Sequence, residues 1–173
     1  MTVEELRAKI REVPDFPKPG ILFYDITTLL KDSAAFHVAI DLMTEPFRDL
    51  GVELVVGMES RGFIFSAPIA YLLGAGMVPV RKLGKLPAET TRVEYALEYG
   101  TNTLEIHRDA IRPGQKVLIV DDLLATGGTV QGTVELVERL GGEIVGVSFL
   151  VELLDLRGRD RLPGANVASV ITY

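Results

Sequence analysis

Four consecutive apolar residues, Val117, Leu118, Ile119 and Val120, run into two adjacent carboxylates, Asp121 and Asp122. No other stretch restricts the fold of this chain so far. A short, continuous apolar run rich in β-branched residues predicts a strand buried on both faces, as strands of a parallel sheet are. The acid pair stands where that strand should end. Ala125, Thr126, Gly127, Gly128 and Thr129 then form a short loop leading into an amphipathic helix from about Val130 to Leu140. Glycines let the backbone turn tightly and bring its N–H groups close to an anion. The hydroxyls of Thr126 and Thr129 add donors, and the helix N-terminus adds positive dipole. Together these parts describe a phosphate cradle.

The acids sharpen that reading. A carboxylate beside a phosphate repels it unless it faces something else, such as hydroxyls or a metal. A ligand with a phosphate at one end and a vicinal diol near a divalent cation meets both needs, and phosphorylated ribose is such a ligand. The plainer reading makes the acids turn and helix caps, and Gly127-Gly128 an ordinary turn. Any one part fits the plainer reading; the ordered series of strand, acid pair, Thr-Gly-Gly-Thr and helix favours the functional one.

The run V-L-I-V-D-D-L-L-A-T-G-G-T resembles the phosphoribosyl-pyrophosphate (PRPP) signature of the type I phosphoribosyltransferase family. With Leu123-Leu124-Ala125 between the acids and the Thr-Gly-Gly-Thr, it is similar to the form found in adenine phosphoribosyltransferases. Three further stretches carry the resemblance in family order. Phe16 to Ile26 looks like the purine-contacting segment, in which Phe23 would stack on the base while backbone groups near Leu22 and Tyr24 read its edge. Many relatives have a basic residue where Tyr24 stands, so the readout there would rest on the backbone. Leu97-Glu98-Tyr99-Gly100 also matches, with Glu98 as the acid/base partner of a purine nitrogen.

Met58-Glu59-Ser60-Arg61-Gly62 is the remaining stretch. It follows a strand and opens a helix, one residue out of step with a hydrolase elbow, because Met58 occupies the place of the first glycine in G-x-S-x-G. No histidine is placed to serve Ser60, which excludes a triad hydrolase. Backbone N–H groups and Arg61 can hold a pyrophosphate there, or Arg61 can simply cap a turn. The resemblance implies pyrophosphate binding by Glu59, Ser60 and Arg61, and a cis peptide between Glu59 and Ser60. Arg81, Lys82 and Lys85 form the main basic cluster of an acidic chain. A solvated loop is the ordinary meaning of such a cluster; beside two anion loops, a grip on polyphosphate is favoured. The resemblance agrees, and implies that Arg81 serves the neighbouring subunit's site in a homodimer.

Composition narrows the alternatives. A chain of 173 residues is expected to form one domain with a packed core, at 47% hydrophobic residues. A net charge of −6 argues against a non-specific grip on nucleic acid, and the absence of cysteine excludes a disulfide frame or a Cys-ligated metal. His37 and His107 stand far apart and are read as non-catalytic. With neither an apolar signal core nor a membrane-length apolar run, the chain is expected in the cytoplasm, away from any membrane.

Along the chain, Thr2 to Glu5 has capping-box spacing for a helix reaching about Val13, and the prolines of 14–20 enforce an irregular extended segment. A short strand is expected at Ile21–Tyr24, a helix capped by Ser33 to about Leu50, a strand over Glu53–Met58, a helix over Phe63–Leu73 and a strand over Met77–Arg81. Val93–Tyr99 and Thr103–Ile106 read as a hairpin inside a polar excursion, Lys82 to Gly100, of the kind that forms lids. Strands follow at Glu143–Glu152 and Asn166–Ile171; the tail after Arg157 is uninformative. This alternation predicts an α/β fold with a doubly wound, mostly parallel sheet and ligands at the strand C-terminal ends. A small hood, from about 1–30 plus parts of 83–106, and a flexible loop would complete it.

The resemblance implies transfer of phosphoribose from PRPP to adenine, giving AMP and pyrophosphate. Mg²⁺ would be bound mainly through PRPP and water, with no dedicated set of protein ligands. Asp121 and Asp122 would hold the ribose through its hydroxyls. Rival readings are a sibling enzyme using another base, a PRPP-sensing regulator, and a phospho-acceptor receiver domain. The regulator lacks a nucleic-acid element here, and a receiver carries its acid pair after the first strand.

Overall fold

Parallel strands need crossover connections, and helices supply them in this chain. The computed structural model describes residues 1–96 and 100–173. They divide into two compact units, Met1–Leu42 and Met43–Tyr173.

In the first unit, α1 (Val3–Arg7) starts with the expected capping box: the Thr2 hydroxyl accepts from the Glu5 amide at 3.2 Å and the Glu5 carboxylate accepts from the Thr2 amide at 2.8 Å. The helix does not reach Val13. Arg11–Val13 is instead a strand, β1, paired antiparallel with β2 (Phe23–Asp25). A distant partner wins over helical continuation here, and an ion pair pins it, Arg11 to Asp25 at 2.6 Å. Hydrogen bonds from the Thr27 hydroxyl and amide, with the Arg11 guanidinium, lower the Asp25 pKa to about 2. Between the strands, the chain turns back through a cis Phe16–Pro17 bond, and the Phe16 and Phe23 rings meet edge to face at 5.1 Å.

A short helix absent from the sequence reading, α2 (Thr27–Leu30), precedes α3 (Ser33–Thr44). Asp32, not Ser33, caps α3 by accepting from the Ala35 amide at 3.1 Å. The helix stops six residues short of Leu50 because Pro46 cannot continue its hydrogen bonding; Glu45–Phe47 tightens into a 3₁₀ turn.

The second unit is built on a sheet of β3 (Leu54–Met58), β4 (Gly76–Lys82), β5 (Thr90–Ala96), β6 (Thr101–His107), β7 (Lys116–Leu124), β8 (Glu143–Glu152) and β9 (Val167–Thr172). Among the described residues the order is β5-β6-β4-β3-β7-β8-β9. The pairs from β4 to β9 are parallel, while β6 and β5 continue the sheet antiparallel beyond β4. The expected mostly parallel sheet is the one found. Two helices cover it: α4 (Gly62–Leu73) packs on β3 and β7, and α5 (Gly128–Arg139) on β5 through β8. Val56, Met58, Val117, Ile119, Leu136, Val137 and Phe149 form one buried layer, and the alternate residues Val55, Leu118 and Val120 are equally buried. Each such side chain contributes about 1.5–3 kcal/mol. That burial holds the strand ends, and hence the loops that leave them, in fixed places.

Candidate active site

β7 extends four residues further than its apolar run suggests, so Asp121 and Asp122 lie within the strand and not beyond it. The ladder to β8 explains this: Asp121 is opposite Phe149 and Leu124 is opposite Glu152. The chain leaves the sheet at Ala125, turns at Gly127 with φ +85°, and enters α5 at Gly128. A helix leaves its first N–H groups without intrahelical partners, so this junction presents donors and positive dipole.

β3 is the parallel neighbour of β7, with Gly57 opposite Val120, and its exit loop is Glu59-Ser60-Arg61. The Glu59–Ser60 peptide is cis, as the resemblance implies. Both loops therefore leave the same edge of the sheet side by side. They open on a cavity of about 480 Å³ lined by Glu59, Ser60, Arg61, Lys82, Asp121, Asp122 and the whole stretch Leu123 to Val130. Tyr95, Asn102 and Leu104 complete the lining.

The two acids are held differently. Asp122 is buried and pairs with the Arg61 guanidinium at 3.0 Å. Asp121 accepts the Asp122 amide at 2.9 Å, and a β-carbon on Gly62 would lie 2.9 Å from its carboxylate, so a larger residue at the start of α4 would push on the acid. Burial first, and then the neighbouring Asp122 charge, push the Asp121 carboxyl well above the usual carboxylate range.

Glu59 binds the Arg81 guanidinium at 2.9 Å and the Lys82 amide at 2.9 Å, which ties the β3 exit loop to the end of β4. Burial raises the Glu59 carboxyl, and the Lys82 amide and Arg81 outweigh it, leaving its pKa below the ordinary glutamate value. Arg81 also donates to the Lys85 carbonyl at 3.4 Å. Of the basic cluster, Lys82 lines the cavity; Arg81 and Lys85 are not among its lining.

Sequence reading missed Tyr95 and Asn102, which are register partners across the β5–β6 pair. The hairpin pattern placed them in strands; only the pairing puts them on the cavity. It also missed Glu105, a buried carboxylate that accepts the Gly84 amide at 3.0 Å and the Thr90 hydroxyl at 3.1 Å, fastening the turn that follows Lys82. Leu22, Phe23 and Tyr24 belong to the first unit, with Phe23 and Tyr24 half-buried on β2 and Leu22 exposed. Glu98, assigned an acid/base role from the sequence, lies outside the described residues.

A guanidinium, an ammonium and the carboxylates of Glu59, Asp121 and Asp122 thus line one cleft beside the first amides of α5. Such a cleft can hold a ligand that carries anionic groups at two places and hydroxyls between them.

Comparison with known proteins agrees with that picture. Residues 25–170 match the family model described as phosphoribosyl transferase domain. The adenine phosphoribosyltransferase of Acidobacterium capsulatum is 59% identical, the alignment covering 98% of this chain and 94% of that protein. Among solved structures, the adenine phosphoribosyltransferase of Thermoanaerobacter pseudethanolicus superposes with a TM-score of 0.96 at 53% identity, covering 99% of this chain and 100% of that one. The Saccharomyces cerevisiae enzyme, solved with an iminoaltritol bisphosphate and adenine, gives 0.92 at 40% identity, with 97% of each chain covered.

Proposed function

The chain belongs to the adenine phosphoribosyltransferase family, and from that premise we propose how its residues divide the work of transferring phosphoribose from PRPP to adenine. The products are AMP and pyrophosphate. The bond from the ribose anomeric carbon to the pyrophosphate oxygen breaks, a bond from that carbon to adenine N9 forms, and the N9 proton leaves. One observation carries the reading: the Thr-Gly-Gly-Thr junction, the acid pair and the Glu59–Arg61 loop line a single cavity.

In this reading Ala125 to Thr129 hold the 5′-phosphate through backbone N–H groups and the threonine hydroxyls. Asp121 and Asp122 engage the ribose hydroxyls, fixing the ring as positive charge develops on it. Arg61, Lys82 and the Glu59–Ser60 amides receive the departing pyrophosphate, while Arg81 and Lys85 support the basic turn. The family resemblance supports Phe23 stacking on adenine, with backbone at Leu22 and Tyr24 reading its edge. It likewise supports Glu98 as the group that takes the N9 proton.

The donors present also suit Mg²⁺. This ion takes oxygen ligands, commonly one or two carboxylates plus substrate phosphates. Among the described residues no three metal-ligating side chains gather together. Of the acids lining the cavity, Glu59 is engaged by Arg81 and Asp122 by Arg61. Such a site fits an ion held mainly by PRPP oxygens and water. When bound, the ion offsets charge on the leaving pyrophosphate.

A homodimer belongs to the same proposal. α4 exposes Ile64, Tyr71 and Leu72 at helical spacing, with Tyr71 86% exposed, and a second copy of the chain would cover this stripe. A sedimentation mass of two chains is expected. No helix among the described residues is long and apolar enough to cross a membrane. A cytoplasmic location is part of the same proposal.

The deciding assay offers PRPP, Mg²⁺ and one base at a time. Adenine is expected to react, and hypoxanthine, guanine and orotate poorly, because a site built for one set of donors leaves the wrong exocyclic group unpaired. A preference for any 6-oxopurine would give the chain to a sibling activity. In the same assay, single-turnover rates for Glu98→Gln are expected to fall by on the order of a hundredfold, the lower end for a lost general base. A near-normal chemical step would remove Glu98 from the mechanism.

A further inference from the structure

Two glycines from distant parts of the chain face each other behind the Thr-Gly-Gly-Thr junction. A β-carbon placed on Gly127 would lie 2.6 Å from the Gly158 carbonyl oxygen, and one placed on Gly158 would lie 2.3 Å from the Ala125 carbonyl oxygen. The two backbones therefore touch with no side chain between them. Gly158 opens a 3₁₀ turn, Gly158–Arg161, in the tail whose sequence carries no periodic signal.

That turn is anchored on both sides of the contact. Arg159 grips the buried Glu152 through both of its terminal contacts, Nε at 2.9 Å and a second nitrogen at 2.5 Å, and donates to the Val167 carbonyl at 2.9 Å. The Ser169 hydroxyl closes the cluster by donating to Glu152 at 2.6 Å. The Arg159 contact lowers the Glu152 pKa, and burial only partly opposes it. Glu152 in turn sits opposite Leu124, the last residue of β7. On the other side, Arg161 donates to the Gln131 amide oxygen at 2.9 Å, and the Gln131 amide hydrogen-bonds the Gly127 carbonyl at 3.0 Å. None of Glu152, Gly158 or Arg159 lines the cavity.

We propose that the Gly158–Arg161 turn, clamped by the Glu152–Arg159 pair, is a strut that sets the 5′-phosphate loop from behind, so that Gly158 and Arg159 are positioning residues for the phosphate end of the substrate. The inference rests on the reading of Ala125 to Thr129 as that loop. A loop whose amides must converge on one anion cannot choose its own geometry; a rigid neighbour must choose it. The Glu152–Arg159 pair suits this duty because a bidentate guanidinium fixes direction as well as distance. The pyrophosphate end, built on the Glu59–Arg61 loop, has no part in this contact.

The experiment separates the two ends of the substrate. Calorimetric titration of the full chain with ribose 5-phosphate probes the loop, and titration with pyrophosphate probes the other end. In Gly158→Ala the new methyl must push on the Ala125 carbonyl, and the ribose 5-phosphate Kd is expected to rise about tenfold, with pyrophosphate within about twofold of the parent. Arg159→Lys adds no atom beside the loop and keeps the charge while losing the fork. It is expected to weaken ribose 5-phosphate by about threefold, again without touching pyrophosphate, and it decides the matter if Gly158→Ala does not fold. Equal weakening of both ligands would make the turn a general stabiliser, and parental affinities in Arg159→Lys would remove the clamp; either result overturns the proposal. A parent protein that binds neither PRPP nor ribose 5-phosphate overturns the functional reading itself, and the strut with it.

Discussion

Gly127→Val is expected to raise the Kd for PRPP by on the order of a hundredfold while leaving a cooperative thermal transition. Two effects act together. The residue sits at φ +85°, which a β-branched side chain adopts only under strain. Its β-carbon would also lie 2.6 Å from the Gly158 carbonyl oxygen, which is backbone and cannot rotate away. The collision is therefore with the wall behind the loop, not with the ligand in front of it. Gly128 offers the contrast: a β-carbon there meets the Tyr95 ring at 3.5 Å, an ordinary contact, so any loss in Gly128→Ala reports on the ligand side. Isothermal titration with PRPP measures both, and an unchanged curve for Gly127→Val would remove the cradle from the mechanism.

Replacement of the acids one at a time should produce the same loss of activity with opposite effects on stability. Asp121→Asn and Asp122→Asn are each expected to lower the rate of AMP formation by about a hundredfold, because a neutral amide does not stabilise a developing cation. The folded state raises the Asp121 pKa, so the fold binds the Asp121 proton more tightly than the unfolded chain does. Its contribution is present below the unfolded carboxyl value near 3.9 and is lost as pH rises through the higher folded value. At neutral pH the Asn variant, which mimics the protonated form, should therefore melt above the parent, and the gap should close in acid. Asp122→Asn instead removes the partner of Arg61 and should melt below the parent. Calorimetric scans across pH check both signs. Asp121→Asn melting below the parent at neutral pH would mean that its ionised form is welcome, and parental AMP formation in both variants would end the ribose assignment.

Local patterns in the sequence foretold much of this site. The apolar run of β7, the full extent of Glu143–Glu152 and the two loops at strand ends are all visible without coordinates, since burial on both faces and glycine-rich turns leave strong local marks. What failed was non-local. Arg11–Val13 leaves its helix because Phe23–Asp25 pairs with it, and the acids continue their strand because β8 offers a ladder. Gly158 meets the loop from more than thirty residues away, out of a tail with no periodic signal of its own. Tyr95 and Asn102 become neighbours only through register. Stretches that answer to their own neighbours were legible; stretches that answer to a distant partner were not.

The adjacency of β3 and β7 has a consequence for what the cleft can measure. Neighbouring strands lie about 4.8 Å apart, and their register fixes relative position along the sheet. The loops that leave Met58 and Leu124 are thus mounted on a calibrated ruler, with Gly57 opposite Val120 as its zero mark. Slipping that mark by one residue would turn every buried side chain of a strand to the wrong face, so the scale cannot drift by small steps. A change confined to a loop side chain leaves this spacing between the two strand ends as it is. Chains that keep this pair of strands therefore stay committed to ligands of one length, whatever base they come to accept.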